Sequence, residues 1–96
     1  MIVDDDPLIC EWLTTQINWN QLGFEVGYIA NNGIDALHKL NEYNPDIIIS
    51  DISMPKMGGI ELLNSIKEYD KRSQVVFLSD ESDYPHVKQG MLLGAF

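Results

Sequence analysis

Four aspartates and one serine stand where this chain could do chemistry. Asp4, Asp5 and Asp6 follow the apolar start Met1-Ile2-Val3, Asp51 follows Ile47-Ile48-Ile49-Ser50, and Ser79 follows Val75-Val76-Phe77-Leu78. Carboxylates gathered at one place repel one another and raise their own pKa values. A hard divalent cation removes that conflict, and Mg²⁺ suits such a site because it takes a few carboxylate oxygens, keeps several waters and accepts phosphate oxygens. A carboxylate beside such an ion can attack phosphorus to give an aspartyl phosphate. The ion then offsets charge on the transferring group, while a hydroxyl or an ammonium binds the remaining oxygens.

Each of these residues also has a plainer reading. Asp6 precedes Pro7 and reads as a helix cap rather than a ligand, since an acceptor side chain is followed by a residue already fixed near helical φ. Asp4 and Asp5 could be exposed loop acids, and a hydroxyl such as Ser79 is common at a strand end. Asp51 is harder to dismiss: it follows an apolar run and precedes Ile52, a poor setting for a charge with no partner. His38 and His86 fall on predicted helices without acids at ligand spacing and read as surface residues. Trp12, Trp19 and Tyr28 read as packing groups, and Lys56 as a solvated loop lysine.

The elements that must position the acids follow from apolar spacing. Met1-Ile2-Val3 is a short apolar start that reads as the tail of a strand. Pro7 to about Asn18 predicts a helix whose apolar face carries Ile9, Leu13 and Ile17, with Trp12 beside them. Phe24 to Ala30 predicts a second strand, and Asn32-Gly33 turns the chain into a helix carrying Ile34, Leu37 and Leu40, ended by Asn44-Pro45. Ile47-Ile48-Ile49 is β-branched without alternation, as in a strand covered on both faces. After Gly58-Gly59 a third helix presents Leu62, Leu63, Ile66 and Tyr69. Val75 to Leu78 is another doubly covered strand, and Asp83 caps a last predicted helix running to about Leu93, closed by Gly94.

Strands and helices that alternate at this length imply right-handed crossovers and a doubly wound parallel sheet with helices on both faces. In such a sheet ligands bind beyond the carboxyl ends of the strands, where the strand order reverses. The first, third and fourth strands end at Asp4-Asp5-Asp6, Asp51 and Ser79, so these groups converge on one rim.

Composition limits the function further. The 96 residues suit one domain, and 45% hydrophobic residues suffice for a core. Fifteen acids against six bases give a formal net charge of −9, a surface that repels phosphate backbones and argues against direct nucleic-acid binding. Cys10 is the sole cysteine, which leaves no disulfide framework and is expected to pack as a small apolar residue. No apolar run reaches the length of a membrane span, and no signal pattern opens the chain, so the expected location is cytoplasmic.

Val3-Asp4-Asp5-Asp6, then Ser50-Asp51-Ile52-Ser53-Met54-Pro55-Lys56-Met57-Gly58-Gly59, then Phe77-Leu78-Ser79 resemble the receiver domain of response regulators in two-component signalling. The resemblance covers essentially the whole chain, 1–96, in order and at the family's spacing. It implies a flavodoxin-like α/β fold with strand order 2-1-3-4-5 (an order already tabulated for this fold). It implies Asp51 as phosphoacceptor, Mg²⁺ as cofactor, Asp5 as a direct metal ligand and Asp4 as one acting through water. Ser53 stands where a backbone carbonyl completes the metal shell, and Ser79 where a hydroxyl turns towards the phosphoryl group. Ser53 and Glu81 occupy positions that tune how long the phosphoryl group persists. The implied activity is that of a regulatory phosphoacceptor rather than an enzyme. The implied partners are a sensor histidine kinase, a DNA-binding output domain of the arabinose-regulator type and, on phosphorylation, a second copy.

The resemblance has departures. Gly58 replaces the commoner aspartate, and Ser79 the commoner threonine. Gly94-Ala95-Phe96 resembles the segment before strand five, which implies that strand five, the family's lysine and the last helix lie outside this chain, and that the opening is slightly short. Two other readings remain open at this point. A haloacid-dehalogenase-type phosphatase also uses an aspartate nucleophile and a later Ser/Thr, though it needs a lysine and further acids beyond the serine. A pseudo-receiver would be an interaction module that takes no phosphoryl group, and it would be expected to lack the acceptor or the acidic pair.

Overall fold

The computed structural model describes residues 1–52, 54, 56–68 and 72–78. Within them the elements run β1 (Ile2–Val3), α1 (Pro7–Gln16), β2 (Ile29–Ala30), α2 (Gly33–Tyr43), β3 (Ile47–Asp51), α3 (Gly59–Glu68) and β4 (Gln74–Leu78). The strands form one parallel sheet in the order β2-β1-β3-β4, the expected doubly wound arrangement. Ser53, Ser79, Glu81, Tyr69, His86, the predicted last helix and the closing segment 94–96 lie outside the described residues.

Helix α1 starts where its cap residue predicts. The Asp6 carboxylate accepts the Leu8 N–H at 2.9 Å, and Pro7 occupies the first helical position. The helix ends at Gln16, two residues earlier than the spacing suggested, because Ile17 turns extended and the Trp19 indole N–H donates to the Leu13 carbonyl at 2.9 Å. That bond satisfies one of the carbonyls a helix end leaves open. The buried face also differs from the expectation. Cys10 and Leu13 are buried, with Ile17 packed beside them against Ile2 and Ile49, whereas Ile9 and Trp12 are exposed. Cys10, Leu13 and Ile17 share one face at spacings of three and four residues; Trp12 lies off it, so its reading as a packing group is wrong.

Strand β2 is shorter than the expected Phe24–Ala30. Its ladder with β1 pairs Ile2 with Ile29 and Val3 with Ala30. Phe24 to Tyr28 instead runs outside the strand, tied to the sheet by the Ile2 N–H donating to the Tyr28 carbonyl at 3.1 Å. Asn32 caps α2 by accepting the Asp35 N–H at 2.9 Å, and Asn44 ends it at φ 44°, the left-handed position that Asn tolerates.

The larger core lies between the sheet and the α2–α3 pair: Val3, Ala30, Ala36, Leu40, Ile48, Leu62, Leu63, Ile66 and Val75. Ile34 stays exposed at the margin of this layer. In β3, Ile48 and Ser50 are fully buried on this face while Ile47 and Ile49 are half-buried on the other, so the covering is complete on one side only among the described residues. Each buried leucine or isoleucine contributes about 1.5–3 kcal/mol. This packing holds the carboxyl ends of β1 and β3 together.

Candidate functional site

Strand register places the acids. Val3 pairs with Ser50, so the next position along β1 is Asp4 and the next along β3 is Asp51. The chain leaves β1 towards β2 on one side, and β3 towards β4 on the other. The gap between their carboxyl ends is therefore the point where strand order reverses, the usual ligand crevice of such sheets.

Asp4, Asp5 and Asp51 each present an oxygen within 4.8 Å of the others. Asp4 is buried, with only 5% of its surface exposed, Asp51 is half-buried and Asp5 is exposed. Burial pushes the Asp4 carboxyl above its usual range, and the neighbouring charges of Asp5 and Asp6 push the same way; the Asp6 N–H, donating to Asp4 Oδ1 at 2.9 Å, opposes them. A pocket with one buried and one exposed acid flanking a half-buried one fits a hard cation that retains water on its open side. The donor set is all oxygen, which suits Mg²⁺ and not a thiolate-seeking metal.

The third acid of the opening run does different work. Asp6 faces the helix as its cap, as its position before Pro7 suggested, and stands outside the acidic cluster. Cys10, buried as expected, donates its thiol to the Asp4 carbonyl at 3.6 Å. Burial, then the charges of Asp4 and Asp6, push that thiol up, so it stays protonated and inert. His38 is exposed.

The segment after Asp51 is held by contacts that sequence reading did not foresee. The Gly59 N–H donates to the Ile52 carbonyl at 2.8 Å, and the Gly33 N–H donates to the Met57 carbonyl at 2.9 Å. A Cβ at Gly59 would lie 2.5 Å from the Asp51 carbonyl oxygen and 2.8 Å from the Phe77 ring, and one at Gly58 would lie 2.7 Å from the Ile52 carbonyl oxygen. In this turn the departure at Gly58 therefore coincides with a backbone approach that leaves no room for a side chain. Lys56 is exposed at φ 70°, a left-handed conformation unusual for lysine. The only sequence hint of this packing was the glycine pair itself.

No helix among the described residues is long and apolar enough to cross a membrane. A family model, the response regulator receiver domain, matches residues 1–96. The transcriptional regulatory protein HptR of Staphylococcus aureus is 35% identical over 91 residues, covering 95% of this chain and 35% of that protein. The chain thus spans about a third of the length of the curated relatives it matches. A two-component transcriptional regulator AraC from Clostridium phytofermentans superposes with a TM-score of 0.83 at 36% identity, over 91% of this chain and 67% of that one. A chain from the CheX–CheY–BeF3–Mg²⁺ complex of Borrelia burgdorferi superposes with a TM-score of 0.80 at 35% identity, over 98% and 70%. These matches decide between the two phosphoaspartate families weighed from the sequence. With the four-stranded order, the acids at the strand reversal and the full-length family match in agreement, the chain belongs to the response-regulator receiver domains of two-component systems.

Proposed function

We propose that this domain is a phosphoacceptor switch: a histidine kinase transfers a phosphoryl group to Asp51 in the presence of Mg²⁺, and the resulting change controls an output. The observation that carries this reading is the meeting of Asp4, Asp5 and Asp51 within 4.8 Å at the strand reversal. Asp5, Asp51 and the Ser53 carbonyl are the proposed direct ligands, with Asp4 acting through water. The bound ion would neutralise charge on the phosphoryl oxygens.

The Asp51 carboxylate supplies the electron pair. Its oxygen forms the new bond to phosphorus as the bond to the donor's imidazole nitrogen breaks, and that nitrogen keeps the electron pair of the broken bond. Asp4, buried beside it, would act on the ion through a bound water. Ser79 is proposed to hydrogen-bond the transferred group and report it to the face around the last helix. Ser53 and Glu81 are proposed to set its lifetime.

Transcription is the proposed output, through a DNA-binding domain and dimerisation on phosphorylation. HptR and the Clostridium protein are both described as transcriptional regulators, and the Borrelia complex pairs Mg²⁺ with BeF3, a mimic of a phosphoryl group. The test is incubation of the full protein with acetyl phosphate and Mg²⁺, followed by intact mass. One added phosphoryl group is expected on the wild type and none on Asp51→Asn. Equal labelling of the two would refute the acceptor assignment; labelling of neither would point to a pseudo-receiver.

A further inference from the structure

The first residue of α2 touches the acceptor turn as closely as backbone allows. The Gly33 N–H donates to the Met57 carbonyl at 2.9 Å. A Cβ at Gly33 would lie 2.6 Å from that same oxygen, 2.6 Å from Met57 Cγ and 2.8 Å from Met57 Cβ. Contacts this short have no equivalent in relaxed packing, so any side chain at 33 must displace Met57. Gly33 is itself buried, and Met57 packs against the core beneath α2.

Displacement of Met57 would reach the acids through described backbone alone. Two residues on, Gly59 donates its N–H to the Ile52 carbonyl at 2.8 Å and lies hard against the Asp51 carbonyl and the Phe77 ring. The turn after Asp51 is thus pinned twice, at its base by Gly59 and at its far side by Gly33. The base pin joins residues seven apart in sequence. The far pin ties the turn to a different crossover unit, the one that leaves β2.

We propose that Gly33 is a positioning residue for the phosphoacceptor site: its bare Cα and its N–H hold Met57, and through Met57 and Gly59 they set the placement of Asp51 for metal binding and phosphorylation. This rests on the reading of the acidic pocket given above. It assigns a function to a residue outside the acidic cluster, in the way that outer-shell groups fix metal ligands elsewhere.

The experiment compares wild type, Gly33→Ala and Gly33→Ala/Met57→Ala in the full protein. Mg²⁺ affinity is read by calorimetry, labelling by acetyl phosphate and folding by amide NMR. Gly33→Ala is expected to weaken Mg²⁺ binding about tenfold, the usual scale for an outer-shell change, and to slow labelling at saturating Mg²⁺. The double variant, which removes the Met57 Cγ contact, should recover part of both losses. A merely structural role would lower the melting temperature and leave Mg²⁺ affinity at the wild-type value, which overturns the proposal.

A second measurement needs no variant. Coupling is reciprocal, so Mg²⁺ must strengthen the Gly33–Met57 bond if that bond favours Mg²⁺. Slower exchange of the Gly33 amide on adding Mg²⁺ is expected; unchanged exchange overturns the proposal even if Gly33→Ala fails to fold. A wild-type protein that binds no Mg²⁺ and takes no label removes the reading of the pocket and this inference together. Normal wild-type binding matched by Gly33→Ala removes the inference alone.

Discussion

Asp4 and Asp51 lie side by side across neighbouring parallel strands, one step beyond the paired residues Val3 and Ser50. The register that fills the core with Val3 therefore also brings two carboxylates into one crevice. Without a cation this is an unfavourable arrangement, and Asp4 shows it in a carboxyl pushed above its usual range, chiefly by burial. Asp4→Asn is expected to raise the stability of the metal-free protein at neutral pH by on the order of 1 kcal/mol. It keeps an oxygen to accept the Asp6 N–H. The same variant should lose most of the gain in melting temperature that Mg²⁺ gives the wild type. A metal-free Asp4→Asn protein that melts below wild type would contradict this account of the pocket.

The direction of the Asp4 shift also fixes a pH dependence. The folded protein holds the Asp4 proton more tightly than the unfolded chain does, because the folded pKa is the higher. For this group, metal-free stability rises as pH falls from neutral through the raised pKa, the reverse of a salt-bridged carboxylate. Protons and Mg²⁺ then compete for the pocket, so Mg²⁺ affinity should fall as pH is lowered from neutral towards that value. Calorimetric titrations at a series of pH values check it, with Asp4→Asn expected to flatten the slope.

Asp6 should separate cap from ligand. Asp6→Ala removes the acceptor of the Leu8 N–H and is expected to cost about 0.5–2 kcal/mol. Asp6→Asn keeps the cap and should cost little. Neither should alter Mg²⁺ affinity by more than the small effect of one nearby charge, a result that a direct ligand could not produce.

Gly59→Ala should be strongly destabilising. The added methyl would meet the Asp51 carbonyl oxygen at 2.5 Å and the Phe77 ring at 2.8 Å, and overpacking of this kind costs about 1–3 kcal/mol. Urea unfolding with an unchanged m-value is the measurement. A wild-type midpoint would mean that the β3–α3 connection relaxes freely.

Lys56 offers a gain in stability. Its φ of 70° costs an L-residue with a long side chain roughly 1–2 kcal/mol, whereas Asn adopts this region more readily. Lys56→Asn is expected to raise the free energy of unfolding by about 0.5–1 kcal/mol, read as a higher urea midpoint. A lowered midpoint would mean that the lysine side chain makes a contact worth more than its backbone strain.

Much of this is legible in the sequence alone. The acids at the ends of apolar runs, the Asp6-Pro7 helix start and the Asn32 and Asn44 boundaries each rest on local chemistry, and local chemistry placed them. Errors arose where tertiary context decides. Strand β2 pairs with β1 at Ile29 and Ala30 only, which the apolar pattern of Phe24 to Ala30 does not reveal. Trp12 is exposed because the sheet meets the Cys10–Leu13 face of α1 instead. The closeness of Gly33 to Met57 joins positions separated by the rest of α2 and by β3, beyond the reach of any local pattern.

The Trp19–Leu13 bond has a practical consequence. The chain holds two tryptophans in unlike settings, Trp12 largely exposed on the outer face of α1 and Trp19 half-buried with its indole N–H engaged at the end of the same helix. Their emission should differ in colour and in access to a quencher such as acrylamide. The helix thus has a pair of optical probes, Trp12 on it reporting on the surface it presents to solvent and Trp19 just beyond it reporting on whether its last turn is still fastened.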